Sequence, residues 1–136
     1  MELFGSNLQL LMGGMNAALL RQQLAAQNLA NADTPGYKAA RVVFETRLQT
    51  ALADNGIIGA STNPGHIPLG RAADPLAVRP QVAIDTLRSG RPDGNNVDLE
   101  AEAAGMASNA LWYSAMVRLA NDEFRRLHLV MGGGGA

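Results

Sequence analysis

The sequence predicts an all-α, elongated chain in which two long terminal helices flank an irregular middle segment with short β pieces. Near both ends, apolar and small residues recur at alternating steps of four and three, which is typical of helices that pack lengthwise against other helices. Between the ends, proline and glycine interrupt every periodic run. We therefore divide the chain into an N-terminal helix (1–32), a turn and short helix (33–53), an irregular middle (54–96), a C-terminal helix (97–131) and a flexible tail (132–136).

The C-terminal helix carries the more regular of the two patterns. Asn96 or Asp98 can cap its start, and Glu100 and Glu102 place negative charge at the positive end of the helix dipole. At ~1.5 Å per residue, about 34 residues make a rod of roughly 50 Å, which is too long for the core of so small a globule. Its apolar stripe therefore needs a partner. The stripe consists of Leu99, Ala103, Met106, Ala110, Tyr113, Val117, Ala120, Phe124, Leu127 and Met131.

The N-terminal helix is predicted from residue 7 to about residue 32, with Asn7 as a candidate cap. Gly13 and Gly14 form a soft point, since each glycine costs roughly 1 kcal/mol in a helix interior. Its apolar lines cover more of the circumference than one partner can bury, so it is surrounded by several helices or lies at a subunit interface. The main stripe is Leu8, Met12, Met15, Leu19, Gln22, Ala26 and Leu29, flanked by Leu3, Leu10, Ala17 and Leu24 and by Leu11, Ala18 and Ala25.

This helix ends in a distinctive string, Asn28-Leu29-Ala30-Asn31-Ala32-Asp33-Thr34-Pro35-Gly36-Tyr37. Pro35 forces Thr34 out of the helical region, and Pro-Gly at the centre of a four-residue turn indicates type II. We interpret the string as a helix stop with a sharp redirection, in preference to a binding site. Tyr37 is then free to pack back on the helix.

Two stretches leave alternatives open. Residues 38–53 contain a strand-like run at Val42–Phe44, but the spacing of Phe44, Leu48 and Leu52 favours a short helix. Further on, short extended pieces are predicted at Val78 and at 81–84.

On the C-terminal helix, Trp112, Ala115, Met116 and Leu119 form a second apolar strip beside the main stripe. They pack either on the middle segment of the same chain or on another subunit, where large aromatic residues and methionine are favoured.

The composition and motifs do not indicate an enzyme or a metal-binding protein. The chain has no cysteine and a net charge of −1. This balance does not favour nucleic acid as a partner. His66 and His128 are not in metal-ligand spacing, and no catalytic set, cofactor motif or small-molecule substrate site is visible. The N-terminus lacks the pattern of a cleaved secretory signal. We therefore predict a protein that is not an enzyme and that binds no metal or cofactor.

Three runs of the sequence resemble those of a known protein family. The run Asn-Leu-Ala-Asn, two residues, Thr-x-Gly-Tyr is similar to the N-terminal signature of the bacterial flagellar basal-body rod proteins, carried here by Asn28, Leu29, Ala30, Asn31, Thr34, Pro35, Gly36 and Tyr37. The run Arg91-Pro92-Asp93-Gly94-Asn95-Asn96-Val97-Asp98-Leu99-Glu100 resembles a proximal rod subunit of that family. The run Thr62-Asn63-Pro64-Gly65-His66-Ile67 resembles its middle segment.

The resemblance implies a structural subunit of the proximal rod, the drive shaft that crosses the periplasm, transmits torque and encloses the export channel. It implies export without a cleaved signal peptide, and terminal helices that pair as an antiparallel coiled coil and pack with those of neighbours. The implied partners are other copies, other rod proteins, the inner-membrane ring and export-gate or adaptor proteins. The residues expected at the assembly interface are Leu8, Met12, Met15, Leu19, Leu29, Leu99, Met106, Trp112, Tyr113, Met116, Val117, Phe124 and Leu127.

Two alternatives remain beside this interpretation. The chain could be another rod subunit of the same family, distinguished mainly by the run at residues 93–100. It could also be a cytoplasmic helical-hairpin adaptor or export chaperone that binds a partner helix through the same stripes.

Overall fold

The computed structural model describes residues 2–53, 74–86 and 91–132, without the side chains of residues 2–4. The described part of the chain is mostly helical, with one two-stranded sheet. In order, its elements are α1 (Glu2–Ala30), β1 (Ala40–Val43), α2 (Glu45–Ala53), a 3-10 turn (Pro75–Ala77), β2 (Gln81–Ile84) and α3 (Leu99–Gly132).

The start of α1 differs from the prediction. The helix begins at Glu2, so the expected cap at Asn7 is wrong. No proline lies between Glu2 and Asn7, and nothing in the sequence prevents the helix from extending to the chain end. The helix also continues through Gly13 and Gly14, so this soft point does not break it.

Asp98 caps α3, which confirms one of the two caps that the sequence predicted. Its Oδ1 accepts hydrogen bonds from the backbone N–H groups of Glu100 (3.0 Å) and Ala101 (3.1 Å). The other candidate, Asn96, instead donates to the carbonyl of Asp85 (2.7 Å). The helix continues through Gly132, one residue into the predicted tail, and residues 133–136 lie outside the described residues.

The stretch over residues 38–53 contains both of the predicted alternatives, because a strand, β1, is followed directly by the short helix α2. The predicted strand at 81–84 is confirmed as β2, which pairs antiparallel with β1 in the register Ala40↔Ile84 to Val43↔Gln81. Val78 has the predicted extended backbone (φ −65°, ψ 125°). The string at residues 62–67 lies outside the described residues.

Helices α1 and α3 pack against each other and run antiparallel. Asn28, near the end of α1, donates to Glu102 near the start of α3, while Ala18 contacts Asn109 further along α3. We call the line along which they meet the seam. Its members are buried or half-buried and are Gly14, Ala18, Arg21, Ala25 and Asn28 on α1, and Glu102, Met106, Asn109, Tyr113 and Met116 on α3.

Candidate assembly surface

The seam does not coincide with the predicted apolar stripes. On α1, every seam residue precedes a stripe residue by one position, so that Ala18 rather than Leu19 faces α3. On α3, the seam shares Met106 and Tyr113 with the stripe, and its other three members, Glu102, Asn109 and Met116, each precede a stripe residue by one position. The helices therefore pair through a line that is poorer in large apolar side chains than the stripes.

The centre of the seam is polar. Asn109 is 5% exposed, and its Nδ2 donates to the carbonyl of Ala18 (2.8 Å) and to Oε1 of Gln22 (3.3 Å). Its Oδ1 accepts from Arg21 Nη1 (3.4 Å), and Arg21 Nη2 binds both carboxylate oxygens of Glu45 on α2 (2.7 and 2.9 Å). Sliding α3 along α1 would leave the buried amide of Asn109 without these partners, so the network fixes the register.

The seam is also narrow. A Cβ atom at Gly14 would lie 2.8 Å from Sδ of Met116, closer than real Cβ contacts allow. Ala17 and Ala18 are 0% and 1% exposed. Small side chains therefore let the two backbones approach closely, and few large apolar side chains are used to hold them together.

Many of the large apolar side chains predicted for the interface lie on the outside of the pair. The exposed fractions are 50% for Leu19, 66% for Trp112 and 54% for Phe124. Leaving such side chains in water is costly when they form contiguous lines, and such lines mark interaction sites. Of the other predicted interface residues, Met12, Leu29 and Leu99 are exposed, and Leu8, Met15, Met106, Tyr113, Met116, Val117 and Leu127 are half-buried.

The turn after α1 has the predicted geometry. The N–H of Tyr37 donates to the carbonyl of Thr34 (3.2 Å), and Gly36 has the positive φ of 72° that a type II turn requires at its third position. The N–H of Gly36 donates outside the turn to the carbonyl of Asp93 (2.9 Å). This bond joins the run at residues 28–37 to the run at residues 91–100. We call residues 28–38 and 91–97 together the junction.

Asn28 organises the first half of the junction. It is 1% exposed, and its Oδ1 accepts from the N–H of Ala40 (3.0 Å) and the hydroxyl of Tyr37 (3.2 Å). Its Nδ2 donates to the carbonyl of Ala40 (3.0 Å) and to Oε1 of Glu102 (3.2 Å). Tyr37 thus turns back toward the helix as predicted. One amide connects α1, the turn, β1 and α3.

Asn95 organises the second half. It is 0% exposed, and its Nδ2 lies 3.0, 3.0 and 2.8 Å from the carbonyl oxygens of Asn31, Ala32 and Thr34. Its Oδ1 accepts from the N–H of Val97 (2.7 Å). The side chain therefore ties the turn that follows α1 to the segment that leads into α3, through carbonyl groups that also accept the N–H of Thr34, a guanidinium nitrogen of Arg91 and the N–H of Tyr37. Sequence reasoning missed this role, because only the run of turn-forming residues around Asn95 is visible locally.

The remaining signature residues lie on the surface of the junction. Ala30, Thr34 and Pro35 are exposed, and Leu29 is also exposed at the end of α1. Within residues 2–53, 74–86 and 91–132, no group of three acidic, histidine or cysteine residues is placed to hold a metal ion. In the same residues, no helix has the length and hydropathy needed to cross a membrane.

Replacing Gly36 with valine should destabilise the folded chain by about 1–2 kcal/mol, because a left-handed backbone is strained for a side chain, and more so for a β-branched one. Among the described residues, no atom lies within 4 Å of the place that a Cβ would take, so the cost is conformational. Urea unfolding of the purified chain measures it. Gly36→Asn is the matched control, since asparagine tolerates this conformation; equal stability of the two variants would contradict the prediction.

A pair of long helices with polar contacts inside and apolar lines outside is typical of a structural subunit that assembles. Comparison with known proteins identifies the family to which this subunit belongs. The family described as "Flagella basal body rod protein" matches residues 8–38, which include the turn string. The chain is 31% identical to the flagellar basal body rod protein FlgB of Bacillus subtilis over 134 residues, covering 98% of this chain and 99% of that protein.

Two further relatives agree with this match. FlgB of Salmonella typhimurium is 30% identical over 129 residues, covering 88% of each chain, and FlgB of Borrelia hermsii is 28% identical over 134 residues, covering 96% of this chain and 99% of the other. The chain belongs to the FlgB family of flagellar basal body rod proteins. It is thus a structural rod subunit of the flagellar basal body, assembled with other rod components.

Proposed function

We propose that α1 and α3 pair as an antiparallel coiled coil and pack with the same helices of neighbouring subunits to form the inner tube of the proximal rod. The observation that carries this proposal is the division of side chains between the seam and the outside. Asn109 and Ala18 occupy the seam, whereas Leu19 and Phe124 are about half exposed. Burying these apolar lines against neighbours supplies the stabilisation that the pair alone lacks, at about 25 cal/mol per Å² of apolar surface.

In this proposal, the tube transmits torque along the drive shaft and encloses the channel through which later subunits are exported. At its base it contacts the inner-membrane ring and the export gate or its adaptor. The long helices support these roles, since α3 has 34 residues and extends for about 50 Å at 1.5 Å per residue. Polar contacts that fix the register between α1 and α3 make the pair resist sliding under load. Export is proposed to occur without a cleaved signal peptide.

Leu19→Asp and Val117→Asp should each abolish rod assembly and swimming. Leu19 is exposed and Val117 is half-buried, and each follows a seam residue by one position, so a carboxylate there would be buried without a partner when a neighbour packs on it. Swimming in soft agar and electron microscopy of basal bodies measure the effect, with membrane rings lacking a rod as the expected image. Gln9→Asp, at an exposed polar position of α1, is the control and should swim normally.

The stability of the free chain separates an assembly defect from a folding defect. Leu19→Asp should lower the free energy of unfolding of the purified chain by only about 1–2 kcal/mol, because half of this side chain is already exposed, and the variant should remain folded. Normal rods and swimming in both aspartate variants would overturn the proposal.

A further inference from the structure

The α1 helix offers two lines along which α3 could lie. One is the seam, and the other is the predicted apolar stripe, in which a residue follows each seam residue by one position. Successive residues are about 100° apart around a helix, so the two lines point in different directions and only one of them can face α3. In the structure α3 lies on the seam, although the stripe is the more apolar of the two.

Burial of apolar surface would favour the stripe. At corresponding positions the stripe has Leu19 where the seam has Ala18, and Met15 where the seam has Gly14. A buried leucine or methionine contributes more hydrophobic stabilisation than a buried alanine or glycine. Yet Leu19 is 50% exposed and Ala18 is 1% exposed. An interaction other than apolar burial therefore decides which line of α1 meets α3.

Asn109 on α3 has its partners at the seam of α1. It is 5% exposed, its Nδ2 donates to the carbonyl of Ala18 (2.8 Å), and its Oδ1 accepts from Arg21 (3.4 Å). If α3 lay on the stripe, Leu19 would take the place of Ala18, and Gln22 would take the place of Arg21. The amide of Asn109 would then lose both bonds, and a buried polar group without its partners is costly.

Glu102 selects the same line of α1 nearer the junction. Its Oε1 accepts from Nδ2 of Asn28 (3.2 Å), and Asn28 is 1% exposed. The corresponding residue of the stripe is Leu29, whose side chain has no hydrogen-bond donor. Two polar residues of α3, about two helical turns apart, therefore find partners at the seam that the stripe does not offer.

We propose that Asn109 and Glu102 are positioning residues that select the seam over the stripe and thereby leave the stripe of α1 free for neighbouring subunits. This inference rests on the proposed function, in which the stripe meets those neighbours. The two polar residues act by making the wrong arrangement unfavourable, as buried polar residues do when they specify how helices pair. A chain without them would pack α3 on its own assembly surface, so it would remain folded but could not join the rod.

Thiol reactivity of the purified chain tests this selection, since the chain has no cysteine of its own. Ala18→Cys reports on the seam and Leu19→Cys on the stripe, and dithionitrobenzoate is the reagent. Each reporter is placed in a Gln22→Leu background, which removes the polar member of the stripe, with and without the pair Glu102→Ala and Asn109→Ala. We expect this pair to slow the reaction of Leu19→Cys by at least about tenfold and to speed that of Ala18→Cys by a similar factor, because a buried thiol reacts only when the helices open.

Two controls accompany this measurement. Glu100→Ala with Asn121→Ala makes the same two changes at exposed positions of α3 and should leave both rates unchanged. Ala25→Cys and Ala26→Cys repeat the comparison with a single kind of substitution, since Ala25 is a seam residue that is 7% exposed and Ala26 is an exposed residue of the stripe. This second pair of reporters keeps the test decisive if a cysteine at position 18 prevents folding.

Two results would overturn the inference. Faster reaction at both the seam and the stripe reporters would show that the polar residues merely hold the helices together. Unchanged rates at all reporters would show that the seam is selected without them. Either result would leave the tube proposal standing, because that proposal depends on the swimming and rods of the aspartate variants. Normal rods in those variants would overturn the tube proposal without changing the reactivity of the free chain.

Discussion

Replacing Asn95 with alanine should lower the free energy of unfolding by about 3 kcal/mol. The substitution removes a fully buried amide that donates to three carbonyl groups in the turn after α1 and accepts the N–H of Val97. Each lost hydrogen bond costs about 1 kcal/mol, and a buried polar group left without a partner costs about 1–3 kcal/mol. Urea unfolding followed by circular dichroism measures the change.

Two controls show whether the amide itself is responsible. Asn95→Asp keeps an oxygen for the N–H of Val97 but loses the donors, so it should be at least as unstable as Asn95→Ala. Asn121→Ala removes an asparagine from an exposed position of α3 and should leave stability within about 0.5 kcal/mol of the parent. If Asn95→Ala were as stable as Asn121→Ala, the junction would contribute nothing to the fold.

Gly14→Val should destabilise the chain by about 2 kcal/mol, although valine is a better helix former than glycine. Even a Cβ at this position lies 2.8 Å from Met116 Sδ, and the two methyl groups of valine would push α1 and α3 apart. Overpacking of a close contact costs about 1–3 kcal/mol. Thermal and urea unfolding of the purified variant report this loss.

Substitution of the neighbouring glycine, Gly13, should change the free energy of unfolding in the opposite direction. At Gly13 a Cβ would meet Phe44 at 3.4 Å, which is ordinary contact. Gly13→Ala should therefore stabilise the chain by up to about 1 kcal/mol through helix propensity. Shortening Met116 to alanine in the Gly14→Val background should recover part of the loss, because the two side chains compete for one space. A Gly14→Val chain as stable as Gly13→Ala would refute the close approach.

The elements that the sequence predicted correctly depend on local chemistry. Asp98 is followed by an uninterrupted helix-forming run, so its role as a cap is visible in a few residues. Pro35 and Gly36 specify their turn through backbone preferences alone, and the positive φ at Gly36 follows. The strand at 81–84 was likewise recognised locally, whereas the start of α1 at Glu2 was missed because Asn7 has the chemistry of a cap without acting as one.

The seam and the junction could not be predicted in this way. A 4-3 pattern of apolar residues shows that a helix needs partners, but it does not say which line meets its own chain and which meets another. Here Leu19 belongs to the predicted apolar stripe, but the contact between α1 and α3 is made by Ala18 and Asn109. The pairing of Asn95 with carbonyl groups about 60 residues earlier is likewise invisible to any local window.

The junction also brings two stretches of backbone together. A Cβ on Gly94 would lie 3.7 Å from Cα of Gly36, and both glycines have positive φ. The chain thus leaves α1 and enters α3 at a single crossing point, which is the junction. Doubling the length of a connection tied at its base costs only about 0.6 kcal/mol of closure entropy. It follows that the length of chain between the two halves of the junction is decoupled from the spacing of the helices, which the crossing point holds constant.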